Sequence, residues 1–197
     1  TDSDSANQKS SNKTIDVWVR DFVETMYVDG DLGTDCLTYT PAGGGSCSGG
    51  SFKAYNTLQE AANNVSSGDT VLVREGTYNS TSGASSVLPL RITRSGTPSQ
   101  RITFKNYNNE NVVVDGTEKY EAIHIGTDDN LIDSGAGHYV TIDGFRIRSA
   151  INQMVLISNA KNTIIRNNRI WNEPFNGTQQ TRGVLIRHGS SDTVIEY

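Results

Sequence analysis

Residues 139–149 read Tyr139-Val-Thr-Ile-Asp-Gly-Phe-Arg-Ile-Arg-Ser, and they align without a gap on Asn162-Thr-Ile-Ile-Arg-Asn-Asn-Arg-Ile-Trp-Asn. The offset between the two stretches is 23 residues, and part of the pattern returns after 30 more at Asp192-Thr-Val-Ile-Glu-Tyr. Each copy holds two short apolar runs joined by a polar turn. Repeats of this size are typical of solenoids, in which each repeat stacks on the one before it.

A second set of apolar triplets repeats in step with the first. Ile123-His-Ile, Val155-Leu-Ile and Val184-Leu-Ile follow one another at offsets of 32 and 29 residues. Three short strands per coil, with coils stacked about 4.8 Å apart, would give this spacing in a parallel β-helix. A β-sandwich or jelly roll is the competing all-β prediction, but neither would keep equivalent residues in a fixed vertical alignment. We therefore predict an all-β solenoid of the parallel β-helix class.

Alternation within the first repeat predicts which side chains face the core. Val140, Ile142, Phe145 and Ile147 are expected to point inward, and the polar residues between them outward. A column of outward residues of alternating sign then predicts a structural ion ladder, formed by Asp143, Arg166 and Glu196.

One segment before the repeats has the period of a helix. Thr57-Leu-Gln-Glu is a capping box, and the apolar residues Leu58, Ala61, Ala62 and Val65 follow a helical spacing. A solenoid needs its open apolar end covered. We predict a short amphipathic helix here that caps the N-terminal end of the coils.

The chain is predicted to have three parts. Residues 1–13 are polar enough to form a disordered N-terminal tail, and residues 14–67 hold an N-terminal strand, a Cys loop and the capping helix. Residues 68–197 form the β-helix coils, which are expected to be incomplete at the C-terminus because the sequence stops within a repeated strand. The strand from Ile15 to Val23 could line its own solenoid, or it could pair with a neighbouring subunit, so that self-assembly would use this strand and the open last coil.

Composition and charge exclude several classes of protein. Gly and Ser supply 39 residues and Thr and Asn another 38, whereas only 35% of the chain is hydrophobic, which favours many short strands joined by turns. The net charge of −5 gives no reason to expect nucleic acid as a partner. No run of eighteen apolar residues is present, so we expect no membrane span.

Cys36 and Cys47 are the only cysteines of the chain. The Gly-rich segment between them is flexible enough to bring their Cα atoms within bridging distance, so we predict a disulfide and an oxidising compartment. The alternatives are two unrelated thiols in a loop, or half of a zinc site that lacks its other ligands.

Several stretches together resemble a known superfamily. The resemblance covers residues 27–197, and it rests on Val28-Asp-Gly-Asp-Leu-Gly-Thr-Asp, Tyr55-Asn-Thr-Leu-Gln-Glu-Ala-Ala, Gly68-Asp-Thr-Val-Leu-Val-Arg-Glu-Gly-Thr-Tyr, Ile102-Thr-Phe-Lys-Asn-Tyr and Val114-Asp-Gly. These resemble the opening coils of secreted right-handed parallel β-helix proteins of the pectate-lyase-like superfamily, which includes pectate lyases and the alginate lyase and chondroitinase group.

The resemblance implies a secreted, extracellular protein that engages polysaccharide, as part of a polysaccharide lyase. The implied reaction is β-elimination on a uronic-acid polymer, in which a basic side chain removes the proton at C5 while arginine or calcium neutralises the neighbouring carboxylate. The catalytic Lys or Arg and the calcium carboxylates of these families lie on central coils and match no stretch of this sequence. We therefore assign no catalytic residue.

The aligned repeats predict a candidate substrate-binding groove on the outer surface. Arg146 and Arg148 should stack over Arg169 and Trp171 of the next coil. Arginines in adjacent coils repel unless an anion lies between them, and an indole face can stack on a sugar ring. These four residues therefore form a candidate site for acidic polysaccharide. The alternative is a solvated face whose arginines pair with a loop carboxylate such as Glu173.

Carboxylates in one loop suggest calcium as a cofactor. Asp128, Asp129 and Asp133 lie in a Gly-flanked segment that interrupts the coil pattern, and calcium prefers such oxygen ligands. The alternative is an exposed acidic loop. A second acidic stretch begins at Asp29, but it lacks the glycine and glutamate positions of an EF-hand loop, so we predict a tight turn there.

A function of another class also fits the sequence. A structural or adhesive surface protein, such as a β-helical filament or stalk subunit, would assemble through its open end and need no active site. A phage or virus tail spike shares this fold but usually carries trimerisation segments, which this sequence does not show.

Overall fold

The computed structural model describes residues 23–127, 136–172 and 181–197. The predicted tail and all but the last residue of the predicted strand from Ile15 to Val23 lie outside these ranges. Within them the chain forms sixteen β-strands and one α-helix, α1 (Leu58–Asn64). The strands are β1 (Thr25–Val28), β2 (Cys36–Tyr39), β3 (Phe52–Tyr55), β4 (Thr70–Val73), β5 (Gly76–Tyr78), β6 (Leu90–Ile92), β7 (Ile102–Asn106), β8 (Val112–Asp115), β9 (Glu121–Gly126), β10 (Val140–Asp143), β11 (Arg146–Arg148), β12 (Gln153–Ser158), β13 (Ile164–Arg166), β14 (Arg169–Trp171), β15 (Arg182–Arg187) and β16 (Val194–Glu196).

The strands form three sheets that the chain visits in turn. Sheet I has the order β16-β13-β10-β7-β4-β1-β3-β2, sheet II the order β14-β11-β8-β5, and sheet III the order β15-β12-β9-β6. All pairs are parallel except β2 with β3. The predicted all-β architecture with parallel sheets is confirmed.

The register of the strands confirms the sequence repeats. Ile142 is opposite Ile165, which is in turn opposite Ile195. In sheet III, Val155 lies between Ile123 and Val184 as the apolar triplets predicted. Equivalent residues therefore stack vertically from coil to coil.

One hydrophobic core runs through the inside of the three sheets. Val140, Ile142, Phe145 and Ile147 are fully buried in it, so their predicted inward orientation is confirmed. Complete burial of such side chains stabilises the fold by roughly 1.5–3 kcal/mol each. One step of the predicted ion ladder is formed, because Arg166 Nη2 lies 2.9 Å from Asp143 Oδ2. Glu196 is opposite Arg166 in the register, and an ion pair between these two stays a prediction.

Helix α1 begins where the capping box predicts. Thr57 is the N-cap, and its side chain accepts a hydrogen bond from the Glu60 amide at 3.2 Å. The apolar face of the helix joins the core and packs against β1, β3 and β6. The buried residues of that face are those expected, namely Leu58, Ala61, Ala62 and Val65.

The segment before the helix is held by the predicted disulfide. Cys36 and Cys47 are bonded, with their Cα atoms 5.6 Å apart. Parallel pairing already begins between β1 and β4, so sheet I extends into the region before residue 68. The predicted tight turn at Asp29 is present, because the Leu32 amide donates to the Asp29 carbonyl oxygen.

A polar network underlies this N-terminal region. The buried Tyr39 hydroxyl donates to Asp29 Oδ2 at 2.6 Å and accepts from Arg74 Nη1 at 2.9 Å. Arg74 also donates to Glu110 Oε2 and to the Pro41 carbonyl oxygen of the Cys loop. Burial raises the pKa of Tyr39 well above its usual value, and its hydrogen bond to Asp29 adds to this effect.

A search for membrane spans found no α-helix in the described part of the chain that is long and apolar enough to cross a bilayer.

Candidate functional site

A cleft of about 350 Å³ lies on the outer face of sheet III. Strands β6, β9, β12 and β15 supply most of its walls, so four successive coils contribute to it. We call it the sheet III cleft. Its polar and charged lining includes Arg91, Tyr120, Glu121, His124, Asn152, Gln153, Arg182 and Arg187.

Strand register arranges these side chains in two rows. One row crosses the beginnings of three strands, where Glu121, Gln153 and Arg182 are opposite one another. The other row crosses the strand centres, where His124 lies between Arg91 and Leu156. His124 is outward because its neighbours Ile123 and Ile125 enter the core.

Hydrogen bonds fix parts of the cleft wall. Gln153 Nε2 donates to Glu121 Oε1 at 2.5 Å, which joins two coils at the start of their strands. The backbone amide of Arg91 donates to Gln59 Oε1 of α1 at 2.7 Å, and Gln59 Nε2 donates back to the Arg91 carbonyl oxygen at 3.0 Å. Strand β6 is thereby tied to the helix, which holds one wall of the cleft in place.

The charge of the cleft is opposite to that of the chain. Three arginines and one glutamate line it, which leaves two net positive charges with histidine neutral, whereas the whole chain carries −5. Arginine guanidinium groups bind carboxylates through paired hydrogen bonds. The cleft can therefore hold an anionic ligand, and Tyr120 adds an exposed aromatic ring beside it.

The structure places the four predicted groove residues on sheet II. Arg146 is opposite Arg169, and Arg148 is opposite Trp171, as the repeats predicted. Arg148 forms an ion pair with Asp115 of the preceding coil, with Nη2 and Oδ2 2.9 Å apart. The Arg169 guanidinium lies 5.1 Å from the centre of the Trp171 ring.

Other predicted groups lie elsewhere or outside the described residues. Asp128, Asp129 and Asp133 lie outside the described residues, so the calcium hypothesis stays a prediction. The described ranges contain no group of three or more His, Cys, Asp or Glu side chains placed to hold a metal. Two histidines outside the predicted sites lie in separate turns, where His138 Nδ1 accepts from the Lys161 amide and His188 Nδ1 lies 3.3 Å from Ser158 Oγ.

Sequence reasoning missed the sheet III cleft. A signal for it exists, because each apolar triplet of this sheet is preceded two residues earlier by a polar residue. These are Glu121 before Ile123, Gln153 before Val155 and Arg182 before Val184. Aligning the residues that precede the triplets would have brought these three together.

The fold and its outer cleft define a right-handed parallel β-helix protein. Residues 38–196 match the family model described as Pel9A-like, right handed beta helix region, and the chain belongs to this family. The predicted resemblance to the pectate-lyase-like β-helix superfamily is confirmed.

Similar proteins were found among curated sequences and solved structures. The uncharacterized protein YwoF of Bacillus subtilis (strain 168) is 35% identical over 114 residues, which are 58% of this chain and 22% of YwoF. The crystal structure of an alginate lyase from Paenibacillus sp. str. FPU-7 has a TM-score of 0.41 at 18% identity, covering 70% of this chain and 61% of the lyase. A rhamnogalacturonan lyase (TM-score 0.47; 88% of this chain, 50% of the lyase) and pectate lyase Pel9A (0.46; 86% and 48%) are each 14% identical. The chain spans about a fifth of the length of its curated relative.

Proposed function

We propose that this chain binds an acidic polysaccharide in the sheet III cleft, as part of a secreted polysaccharide lyase. The observation that carries the proposal is the set of three arginines, Arg91, Arg182 and Arg187, around one cleft of a net negative protein. Random placement of charge would not favour a positive cleft here. The disulfide between Cys36 and Cys47 supports an extracellular location, since such bonds persist in oxidising compartments.

The cleft offers the chemistry that a uronate unit needs. A guanidinium group paired with the uronate carboxylate withdraws negative charge from it, which makes the proton at C5 easier to remove. The exposed ring of Tyr120 provides an apolar surface for a sugar ring, and the amide groups of Asn152 and Gln153 can meet its hydroxyl groups. Elimination would follow once a basic group takes the C5 proton: the C4–C5 double bond forms, the C4–O glycosidic bond breaks, and the leaving oxygen takes up a proton from solvent.

No described residue is assigned as that base. Calcium held by Asp128, Asp129 and Asp133 would supply further charge neutralisation of a carboxylate, and it stays a prediction. The chain's own part in the reaction is therefore to bind and orient the anionic polymer.

The proposal is tested with the double variant Arg182→Ala/Arg187→Ala. Its affinity for oligogalacturonate and for oligoalginate, measured by isothermal titration calorimetry, should fall at least about tenfold because two charge-assisted contacts are lost.

The matched control is Arg94→Ala/Lys105→Ala. This variant also removes two exposed positive charges, but neither residue lines the cleft. Its affinity should stay within about twofold of the wild type, since distant exposed charges are screened by salt. Equal affinities of the cleft variant and the wild type for both polymers would refute the proposal.

A further inference from the structure

Two arginines of sheet II have a feature that the cleft does not explain. Arg146 and Arg169 are opposite one another on neighbouring parallel strands, and both are exposed. Neighbouring strands are about 4.8 Å apart, so the two positively charged side chains leave the backbone side by side. Such a pair is destabilising unless an opposite charge lies near it.

Two other outward arginines on paired strands have that opposite charge. Arg148 is paired with Asp115, and Arg166 is paired with Asp143. Arg146 instead has Val113 as its neighbour in the preceding coil. Neither the Arg146 nor the Arg169 guanidinium forms a hydrogen bond or ion pair with any residue in the described ranges. Like charges that no described residue compensates, next to arginines that are compensated, indicate a place for an external anion. Glu173, the loop carboxylate considered as an alternative partner, lies outside the described residues.

The surroundings of this pair fit an anion that carries hydroxyl groups. Arg146 and Arg169 border a hollow of about 240 Å³, which we call the sheet II hollow. Its rim includes the amide side chains of Asn109, Asn111 and Asn167, which can donate to and accept from hydroxyl groups. The Trp171 ring beside Arg169 adds an aromatic surface.

Among the described residues that line the hollow, the carboxylate is that of Glu110, and it is already bound elsewhere. Glu110 Oε2 accepts from Arg74 Nε at 2.8 Å and from the Glu75 amide at 2.8 Å. Glu110 therefore neutralises Arg74, which directly follows β4, and not Arg146 or Arg169.

We propose that the sheet II hollow binds a carboxylate or sulfate group of an acidic glycan, as an anchoring site on a different face from the sheet III cleft. The binding of an anion here is inferred from the arginine pair alone. That this anion belongs to a glycan rests on the proposed function. The two guanidinium groups share the oxygens of one anion, the amides of the rim bind hydroxyl groups, and no bond of the polymer is broken here.

A single-tryptophan protein locates this binding event. The chain has two tryptophans, so Trp18→Phe leaves Trp171 as the only one, next to Arg169. Titration with oligogalacturonate, with a sulfated oligosaccharide and with neutral dextran should change the Trp171 fluorescence for the two acidic probes only. The stronger of the two responses identifies carboxylate or sulfate as the preferred group, and inorganic sulfate should compete.

Arg146→Ala/Arg169→Ala in this background should weaken the acidic titrations at least about tenfold, because both contacts to the anion are lost. Arg94→Ala/Lys105→Ala is the charge-matched control and should stay within about twofold. The inference is overturned if no acidic probe changes the fluorescence, if the arginine pair can be removed without effect, or if the control weakens binding as much.

The same titration separates this inference from the cleft proposal. Arg182→Ala/Arg187→Ala should keep the Trp171 response even though it loses binding to the cleft. If Arg182→Ala/Arg187→Ala kept the full affinity of the wild type in calorimetry, the proposed function would be refuted. A Trp171 response would then still support the anion site in the sheet II hollow. A Trp171 response that disappears with the cleft arginines would show one shared site and overturn the separate anchor.

Discussion

At the scale of single residues, polar side chains in the turns join one coil to the next. Asn168 is buried, and its Oδ1 accepts from the Phe145 amide at 2.8 Å while its Nδ2 donates to the Ile142 carbonyl oxygen at 2.9 Å. Asn167 before it adopts a positive φ of 55°, which asparagine tolerates better than most residues. The pair of asparagines therefore turns the chain and satisfies buried backbone groups of the neighbouring coil.

Asn168→Ala should destabilise the protein strongly. Two buried backbone groups would lose their partner, and each such loss costs about 1–3 kcal/mol. The melting temperature followed by circular dichroism should fall well below that of Asn111→Ala, in which the asparagine is exposed. Equal melting temperatures of the two variants would contradict this role.

Stability should also fall in alkaline solution because of Tyr39. Burial first, and then the hydrogen bond to Asp29, raise the pKa of this tyrosine above the value of about 10 found in unfolded chains. The unfolded chain therefore loses the proton first, so the stabilising contribution is complete below about pH 10 and is lost as the pH rises further.

The pH dependence is measured by urea unfolding at a series of pH values from about 8 to 11. Tyr39→Phe should show a shallower alkaline decline in the free energy of unfolding than the wild type. It should retain part of the decline, because burial also raises the pKa of Tyr27 and Tyr78. Parallel curves for the two proteins would rule out Tyr39 as a source of the effect.

At the scale of the elements, strands that recur in the sequence repeats were predictable, and the first-coil strands β5 and β6, which lie outside those repeats, were not. Strand β5 was missed because Gly76 and Thr77 are exposed and only Tyr78 is buried, so the segment has no visible pattern. Strand β6 has only three residues, and its partner strand β9 lies about 30 residues further along the chain, so local sequence gives little sign of it. The packing of α1 was predictable from its spacing, while its role as a cap stays a prediction.

Removal of the disulfide in the Cys loop should lower the stability of the protein directly. Its disulfide closes a short loop, and Pro41 within that loop accepts from Arg74 of the buried network. Cys36→Ala/Cys47→Ala should lower the free energy of unfolding by roughly 3 kcal/mol in the chain-entropy model. Urea unfolding measures this loss, with the oxidised wild type as reference.

Thiol titration provides the independent check on the disulfide. Native and denatured wild-type protein should both show no reactive thiol, because both cysteines are bonded. Two thiols reacting in the native protein, or an unchanged unfolding free energy in the variant, would be incompatible with a stabilising bond.

At the scale of the whole molecule, the sequence predicts the stacking of the coils better than it predicts the position of binding sites. Register follows from apolar triplets that repeat, because a shift of one residue would expose the whole inward row. The sheet III cleft draws its lining from four coils, and the row of Glu121, Gln153 and Arg182 changes residue type at every step. A site composed of different residues in each coil gives no repeat in the sequence. The arginine stack of sheet II was predictable because Arg146 and Arg169 are the same residue type in successive repeats.

The crystal structure of this protein with an acidic oligosaccharide tests the central claim most directly. The account predicts uronate carboxylates within hydrogen-bond distance of Arg182 and Arg187 in the sheet III cleft, with a sugar ring against Tyr120. An oligosaccharide bound only elsewhere on the β-helix, with the cleft empty at saturating ligand concentration, would contradict it.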